Sequence, residues 1–447
     1  MSGDTIGIGV DVGTSGVRAV ALHADGTPLA RAAEALPAPV CTADGGVEQD
    51  PRDWWHALTR VLQRLAAEST ISGQRCALCL DGTSATVLLA APDGRPLGRA
   101  LMYNDRRATQ AAALVAAAAP ADAAALGVGS SLAKALHLLG GSEIDHRPFR
   151  VLHQADWLTG RLLGSVGDSD WNNALKLGYD PRAERWPDWL AALPLPATAL
   201  PRVHAPGTPL GVIAPEAAAA TSLHAGTLIC AGTTDSTAAV LATGAADIGD
   251  AVTSLGSTLV LKVIAEEPIS APEYGVYSHR LPRAGGDARS ALWLAGGASN
   301  SGGAVLRAHF DDAALERLST KIDPDRPSGL DYYPLPAPGE RFPVHDPKLT
   351  PRLTPRPADD ARFLHGLLEG ISRIERDGYR LLARLGAPAP RRVLSIGGGA
   401  TNATWTAMRR RLLGCEVLRA DGEAAAGAAR LALRAWARLG RMPALGP

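Results

Sequence analysis

Two stretches about half a chain apart repeat one pattern, and this repeat constrains the fold more than any other feature of the sequence. Each has an apolar run, a turn of glycine and hydroxyl residues, and a second apolar run: GIGVDVGTSGVRAV at 7–20 and DAVTSLGSTLVLKV at 250–263. The corresponding turn residues are Gly13, Thr14 and Ser15 in the first stretch and Gly256, Ser257 and Thr258 in the second. Apolar runs joined by short turns of this kind are typical of β-hairpins. The repeat therefore predicts two related domains, each with one strand–turn–strand unit.

The first unit carries an acid, Asp11, inside its apolar run. An unpaired buried carboxylate is costly, so this position predicts a compensating ligand or metal. The turn that follows offers backbone N–H groups and hydroxyls, which are suited to binding phosphate. We therefore expect Asp11 to face a cation beside a phosphate. Ser254 takes the corresponding place in the second unit, and the alternative is an ordinary hairpin with an isolated acid.

Neither of the two common phosphate-binding loops fits this turn. A P-loop needs Gly-Lys-Ser/Thr before a helix, and the dinucleotide fingerprint needs G-x-G-x-x-G at the start of a helix. Gly7 and Gly9 lie inside the first strand, and the chain after the turn continues as a second strand. This topology argues against a nicotinamide dehydrogenase.

A third glycine cluster lies between a short apolar run and a predicted helix, in SIGGGATNATW at 395–405. Glycines at such a position let the backbone approach a ligand closely, and a tryptophan offers a flat apolar wall to a base. Gly398, Gly399, Asn402 and Trp405 are therefore candidates for binding adenosine. The alternative is a tight turn followed by a core tryptophan.

Composition narrows the class of partner. The 447 residues suffice for two domains, and 45 basic residues balance 45 acidic ones, so no net charge attracts nucleic acid or an anionic membrane. The N-terminus shows no signal sequence and the five cysteines form no redox or metal motif, because Cys76 and Cys79 lie in one apolar run. We expect a cytoplasmic protein that binds small metabolites, and the sequence leaves its oligomeric state open.

Two helices are predicted from apolar periodicity. Asp50 is placed to cap a helix that begins at Pro51 and has one apolar face, and a second long helix has its apolar face over 363–374. Asp235 follows the apolar run CAG and two threonines, and it precedes a stretch of small residues with helical character. A carboxylate there is either a reactive group or an N-cap.

Taken together, the hairpins and the third glycine cluster resemble the actin-like ATPase superfamily and, within it, the FGGY carbohydrate kinases. The resemblance covers essentially the whole chain. The stretches that carry it are GVDVGTSGVRAV, VEQDPRDWWHAL, YNDRR, AGTTDSTAAVLATG, SIGGGATNATW and EAAAGAARLAL. It implies an α/β fold of two actin-like (ribonuclease H-like) domains, 1–245 and 246–447, with an interdomain active-site cleft. The resemblance also implies ATP and Mg²⁺ as the cofactors.

The resemblance implies a role for each candidate residue. A kinase acting on an alcohol needs a base at the hydroxyl, donors around the transferred phosphoryl group and a divalent cation. Asp235 matches the general base of the family, and Asp11 matches the residue that holds Mg²⁺ and lies beside the sugar. The hydroxyls placed to donate to the phosphates are those of Thr14, Ser15, Ser257 and Thr258.

A narrower resemblance concerns the sugar. Segments such as DGTSATVLL at 81–89 and SDWNNALKLGYDP at 169–181 look like the short D-ribulose kinases of cyanobacteria and plants. Xylulose kinases usually have Gln-Met-His-Gly where this chain has Thr-Ser-Ala-Thr at 83–86. Ser84 is therefore the leading candidate for contacting the sugar and Asn104 a second one, whereas the role of Lys134, which matches a lysine of the family signature, stays open.

The substrate implied by this resemblance is D-ribulose, phosphorylated at its terminal hydroxyl. D-Xylulose, L-ribulose or a polyol is the nearest alternative. An actin-like or chaperone-like ATPase without a sugar substrate is an alternative of another class, because it shares the nucleotide-binding residues but does not need a base at Asp235.

Overall fold

The structure, a computed structural model, describes residues 5–141, 147–283 and 291–439. It divides into two compact units, one made of Met1–Ala242 with Glu423–Pro447 and the other of Thr243–Gly422. The sequence prediction differs from this division at one end, because it assigned the last segment of the chain to the second domain.

The described strands are β1 Ile6–Val12, β2 Gly16–Leu22, β3 Pro28–Ala35, β4 Val40–Cys41, β5 Val47–Gln49, β6 Cys76–Gly82, β7 Val87–Ala90, β8 Ala100–Leu101, β9 Arg150–His153, β10 Asp168–Asp170, β11 Arg202–His204, β12 Pro209–Val212, β13 Leu228–Thr234, β14 Asp250–Leu255, β15 Leu259–Ala265, β16 Tyr277–Leu281, β17 Leu292–Ser299, β18 Arg392–Ile396 and β19 Glu416–Arg419. The described α-helices are α1 Pro51–Ala66, α2 Thr109–Ala118, α3 Ser131–Gly140, α4 Gln154–Leu163, α5 Trp171–Leu175, α6 Pro215–Thr221, α7 Asp235–Ala242, α8 Gly303–Arg307, α9 Asp312–Ser319, α10 Asp360–Arg384, α11 Ala403–Leu413 and α12 Ala424–Leu439. Short 3₁₀ helices occupy Asp188–Ala192, Ala197–Ala199, Pro272–Tyr274 and Gly398–Thr401.

The first unit is built on a six-stranded sheet in the order β12-β13-β6-β1-β2-β3. Strands β1 and β2 form the predicted antiparallel hairpin, whereas β6 is parallel to both β1 and β13. Carboxyl ends of parallel strands meet at one edge of a sheet, so the ends of β1, β6 and β13 lie side by side. A five-stranded sheet, β4-β5-β8-β7-β9, and the pair β10-β11 belong to the same unit.

The second unit repeats the arrangement with a six-stranded sheet in the order β16-β17-β15-β14-β18-β19. Strands β14 and β15 form the second predicted hairpin, and β18 is parallel to β14. Its core gathers the apolar faces of this sheet and of α10, the long helix predicted around 363–374. The two strand–turn–strand units of the sequence are therefore confirmed.

Local sequence accounts for the predicted helix α1. Asp50 caps it by accepting from the backbone N–H of Arg52, and proline stands at the first helical position. Its apolar side chains are buried in the core of the first unit. No helix among the described residues is both long enough and apolar enough to span a membrane.

Helix α12 packs against β1, β2 and β6, which is why the end of the chain belongs to the first unit. Two glycines of β1 make room for it. A Cβ atom added at Gly9 would lie 1.8 Å from the carbonyl oxygen of Ala425, and one added at Gly7 would lie 2.7 Å from that of Ala429. The glycines of this strand thus serve the close approach of a helix backbone, not a phosphate.

We expect Gly9→Ala to lower the free energy of unfolding by about 3 kcal/mol, because the new methyl group meets backbone that cannot rotate away. Chemical denaturation checks this. Gly98→Ala is the matched control, since a Cβ atom there meets no other atom within 4 Å. Equal stability of the two variants would contradict the packing argument.

Candidate active site

Three acidic residues gather at the carboxyl edge of the first sheet. Asp11 near the end of β1 is in register with Asp81 near the end of β6, and Asp81 is in register with Thr233 of β13. Asp235 follows two residues after Thr233 as the first residue of α7. The parallel strands therefore bring together residues that are about 70 and 150 positions apart in the sequence.

Asp11 and Asp81 form a buried pair of acids. The side chain of Asp81 is fully buried, and neither of its oxygens accepts a hydrogen bond from a donor among the described residues. Burial, followed by the negative charges of Asp11 and Asp235, raises the pKa of Asp81 well above its ordinary value. Burial beside a second acid thus favours the neutral form of the Asp81 carboxyl.

Asp11 is the more open member of the pair, with 15% of its side chain exposed and Arg18 Nη1 3.5 Å from its Oδ2. Burial raises the pKa of Asp11, whereas the neighbouring Asp81 carboxyl and the charge of Arg18 lower it. The sequence analysis missed Asp81. The signal was present, because CALCLDG places an acid at the end of an apolar run as GIGVDVG does.

Asp235 is half-buried at the start of α7. Its Oδ1 accepts a hydrogen bond from the backbone N–H of Ser236 at 2.6 Å. The preceding threonines are fixed, since Thr233 Oγ1 accepts from Asn172 Nδ2 at 3.0 Å and Thr234 Oγ1 lies 3.0 Å from Thr237 Oγ1. The carboxylate of Asp235 is thus attached to a rigid strand–helix junction.

The turn between β1 and β2 lies at the surface of the first unit. It is closed by a hydrogen bond from the Gly13 N–H to the Gly16 carbonyl, and Gln49 Nε2 donates to the Thr14 carbonyl. Thr14 is partly exposed and Ser15 is exposed. The turn is rigid, and the two hydroxyls remain at its surface.

The corresponding turn of the second unit packs against the start of α8. The Gly303 N–H donates to the Gly256 carbonyl at 2.8 Å, and Arg307 Nη2 donates to Ser257 Oγ at 2.7 Å. Ser257 and Thr258 are exposed. Sequence analysis missed Arg307, which adds a positive charge beside a turn predicted to bind phosphate.

A cavity of about 780 Å³ in the second unit joins this turn to the third glycine cluster. Of the sequence-predicted residues, it is lined by Gly256, Ser257, Gly398, Gly399, Asn402 and Trp405. Arg307 lines it as well, whereas Thr258 is not among its lining residues. Two glycine clusters about 140 residues apart thus face one cavity that is large enough for a nucleotide.

Trp405 forms the floor of this cavity rather than a free wall. Only 2% of it is exposed, and its Nε1 donates to Ser372 Oγ inside the core at 2.9 Å. A Cβ atom at Gly399 would lie 2.6 Å from the indole, so the glycine turn rests directly on the ring. Asn402 caps α11 by accepting from the Trp405 N–H, and its Nδ2 donates to Ser319 Oγ. These positions favour the core alternative for Trp405.

Ser84 is the partly exposed residue of a tight loop after β6. The Thr83 N–H donates to Gln154 Oε1, the Thr86 N–H donates to the Thr83 carbonyl, and Ala85 adopts a left-handed φ of 62°. Asn104 is exposed in a turn that the Asp105 N–H closes on the Met102 carbonyl. Hydrogen bonds fix the backbone of both segments, and of the two predicted residues Ser84 is partly exposed and Asn104 is exposed.

A resident metal does not fit the donor set. Within the part of the chain that the structure describes, no group of three or more His, Cys, Asp and Glu side chains is arranged to hold a metal ion. Mg²⁺ in kinases is held by one or two carboxylates together with phosphates and waters. The partly exposed carboxylate of Asp11 fits an ion that arrives with a nucleotide.

Comparison with known proteins gives the family. Residues 6–125 match the N-terminal domain model of the FGGY family of carbohydrate kinases, and residues 251–436 match its C-terminal domain model. The chain therefore belongs to the FGGY family and is an ATP-dependent carbohydrate kinase with the two-domain α/β fold of that family. This family membership rules out the alternative of an actin-like or chaperone-like ATPase without a carbohydrate substrate.

Named relatives differ in substrate. The chain is 28% identical to the xylulose kinase of Escherichia coli K12, over 95% of this chain and 89% of that protein. It is 27% identical to the erythritol kinase of Brucella abortus, over 99% of this chain and 89% of that protein. Among solved structures, a xyloylose kinase from Brucella ovis has a TM-score of 0.84 at 25% identity, covering 97% of this chain and 91% of that one.

Proposed function

We propose that the chain phosphorylates the terminal hydroxyl of a five-carbon ketose, and that D-ribulose is the preferred substrate, giving D-ribulose 5-phosphate. The relatives named xylulose kinase and erythritol kinase support a pentulose or polyol as the substrate class. The observation that carries the proposal is the edge of the first sheet, where Asp11, Asp81 and Asp235 converge. Such a set combines a base with a fixed carboxylate, as transfer to an alcohol requires.

In this mechanism Asp235 accepts the proton of the sugar hydroxyl. An ordinary carboxylate suffices as the base, because phosphoryl transfer has a loose transition state and the proton leaves late. Asp81, buried in register beside Asp11 and favouring its neutral form, adds no second negative charge next to the Asp11 carboxylate. Asp11 can then hold Mg²⁺, which when bound neutralises charge on the phosphates of ATP.

Thr14 and Ser15 are proposed to donate to phosphate oxygens at the turn of the first unit. Ser257 and Thr258 are proposed to do so at the turn of the second. The cavity lined by Gly256, Gly398 and Gly399 is proposed to take the nucleotide. Arg307 adds a cation there, and its hydrogen bond orients the Ser257 hydroxyl. We propose a cytoplasmic location, as is typical of metabolic kinases.

The choice of D-ribulose rests on the loop at 83–86. Xylulose kinases usually carry a methionine and a histidine there, and this chain has the small hydroxyl of Ser84 instead. A polar pocket discriminates strongly between sugars that differ at one hydroxyl, because a mismatched partner leaves a polar group unpaired. D-Xylulose is the second candidate, because several relatives are named xylulose kinase.

Kinetics with both pentuloses test the assignment. We expect kcat/KM to be about tenfold or more higher for D-ribulose than for D-xylulose. Ser84→Ala should lower kcat/KM for the preferred sugar by about tenfold, the worth of one or two hydrogen bonds. Ser165→Ala, at an exposed loop position, is the control and should match the wild type. A higher kcat/KM for D-xylulose would overturn the choice of sugar, and an unaffected Ser84→Ala variant would remove Ser84 from the site.

A further inference from the structure

Lys134 is a fully buried lysine that the proposed mechanism does not use. It lies in the middle of α3, a helix capped at its start by Ser130, whose side chain accepts from the Ala133 N–H. A charged group is rarely buried without a purpose in the fold, since leaving water is costly for it. What surrounds its ammonium group therefore indicates what Lys134 does.

Three backbone carbonyls converge on Lys134 Nζ. The oxygens of Ala85, Met102 and Tyr103 accept hydrogen bonds from it at 2.9, 2.8 and 3.0 Å. An ammonium group has three N–H donors and no acceptor, so these three oxygens use all of its donors. A neutral amine has only two, so one of the three hydrogen bonds would be lost.

The three carbonyls belong to the two segments that carry the proposed sugar contacts. Ala85 adjoins Ser84, and Tyr103 adjoins Asn104. Both segments are therefore attached to one atom. All three hydrogen bonds go to backbone carbonyls, so they hold the position of the backbone in both segments.

The conformation of Ala85 shows that its loop is held under constraint. Its φ of 62° lies in the left-handed region, which is unfavourable for a residue with a Cβ atom. Such a conformation persists where the surroundings impose it. The hydrogen bond from Lys134 to the Ala85 carbonyl acts at this residue.

We propose that Lys134 is a positioning residue for the sugar site, which clamps the loop at 83–86 and the turn at 102–105 in a fixed relation through its ammonium group. The part of this inference that concerns sugar binding rests on the proposed function. The clamp itself does not, because it follows from hydrogen bonds within the first unit.

Protonation adds a property that a purely structural contact lacks. Burial lowers the pKa of Lys134 from 10.5 to about 7. The charge of Asp105 opposes this shift, and the charge of Lys176 adds to it. Between about pH 7 and 10.5 the unfolded chain binds more protons at this group than the folded chain, so its contribution to stability rises with pH. Deprotonation over the same range removes the third N–H donor of Lys134. We therefore expect sugar binding to weaken while the free energy of unfolding rises.

The test compares the wild type with Lys134→Met, which keeps the length of the side chain and removes every donor. Leu136→Ala is the matched control. Leu136 is buried on the same helix, but its side chain has no donor for the three carbonyls that Lys134 binds. Hydrogen exchange is measured on peptides covering 83–86 and 102–105. Steady-state KM values are measured for D-ribulose, D-xylulose and ATP, and wild-type KM values for the sugars are followed from pH 6 to 9.

We expect Lys134→Met to speed exchange in both segments and to raise the sugar KM about tenfold or more with the KM for ATP unchanged. Leu136→Ala should do neither, and the wild-type sugar KM should rise several-fold above about pH 7. Unchanged exchange in Lys134→Met would overturn the clamp. Faster exchange with an unchanged sugar KM, or a pH-independent wild-type sugar KM, would overturn the positioning role. A wild type that phosphorylates neither ketose contradicts the proposed function and the sugar-binding half of this inference, and the exchange measurement still decides the clamp.

Discussion

Replacing Asp235 with asparagine is expected to lower kcat for sugar phosphorylation by about 10²-fold or more, with ATP binding retained. Asparagine has nearly the same shape, and its side-chain oxygen can still accept the hydrogen bond that the Ser236 N–H donates to Asp235. The start of α7 should therefore stay intact. What the variant lacks is a group that accepts the proton of the sugar hydroxyl.

Two measurements separate this outcome from a folding defect. Coupled assays of sugar phosphorylation give kcat and KM, and calorimetry gives the affinity for ATP. Asp188→Asn is the control, because Asp188 also stands at the start of a short helical segment and its side chain is 93% exposed. Near-normal turnover by a folded Asp235→Asn enzyme would dismiss Asp235 as the base and leave it as a helix cap.

Hairpins and helices could be predicted because their signals are local. The turn residues at 13–15 and 256–258 lie between apolar runs, and the start of α1 is set by Asp50 and Pro51. Each signal acts within a few residues, so tertiary packing has little opportunity to override it. The same reasoning placed Asp235 at the start of a helix.

The partners of buried groups could not be predicted in the same way. Asp81 meets Asp11 through strand pairing across about 70 residues, and α12 meets Gly7 and Gly9 across more than 400. Apolar periodicity shows that a helix has a buried face but not which sheet covers it. Lys134 is similar, because its three carbonyl partners are marked by no side chain in the sequence.

Trp405 shows how one residue type serves two roles that only its surroundings separate. An aromatic ring beside a glycine turn is compatible with stacking on a base or with packing in a core. In the structure the indole lies beneath Gly399 and donates to Ser372 Oγ from the interior. The ring therefore supports the glycine turn from below.

We accordingly expect Trp405→Ala to lower the free energy of unfolding by about 3–5 kcal/mol, since it removes a large buried side chain and leaves Ser372 without its donor. Thermal and chemical denaturation measure this loss. Trp405→Phe should cost less, because it keeps most of the ring and loses only the hydrogen bond. The KM for ATP should rise in Trp405→Ala through loosening of the glycine turn and should stay near the wild-type value in Trp405→Phe.

The two variants distinguish a ring that supports the glycine turn from a ring that stacks on the base. Loss of a supporting ring lowers mainly the free energy of unfolding, whereas loss of a stacking ring lowers mainly the affinity for ATP. A wall that stacks on the base is weakened in affinity by the loss of the ring, with little change in unfolding, since a partly exposed ring contributes little to the core. If the ring supports the turn from below, its loss lowers the free energy of unfolding, and the affinity for ATP falls only because the turn loosens. Trp405→Ala protein that unfolds like the wild type but binds ATP tenfold more weakly would therefore establish stacking, in spite of the 2% exposure of the ring.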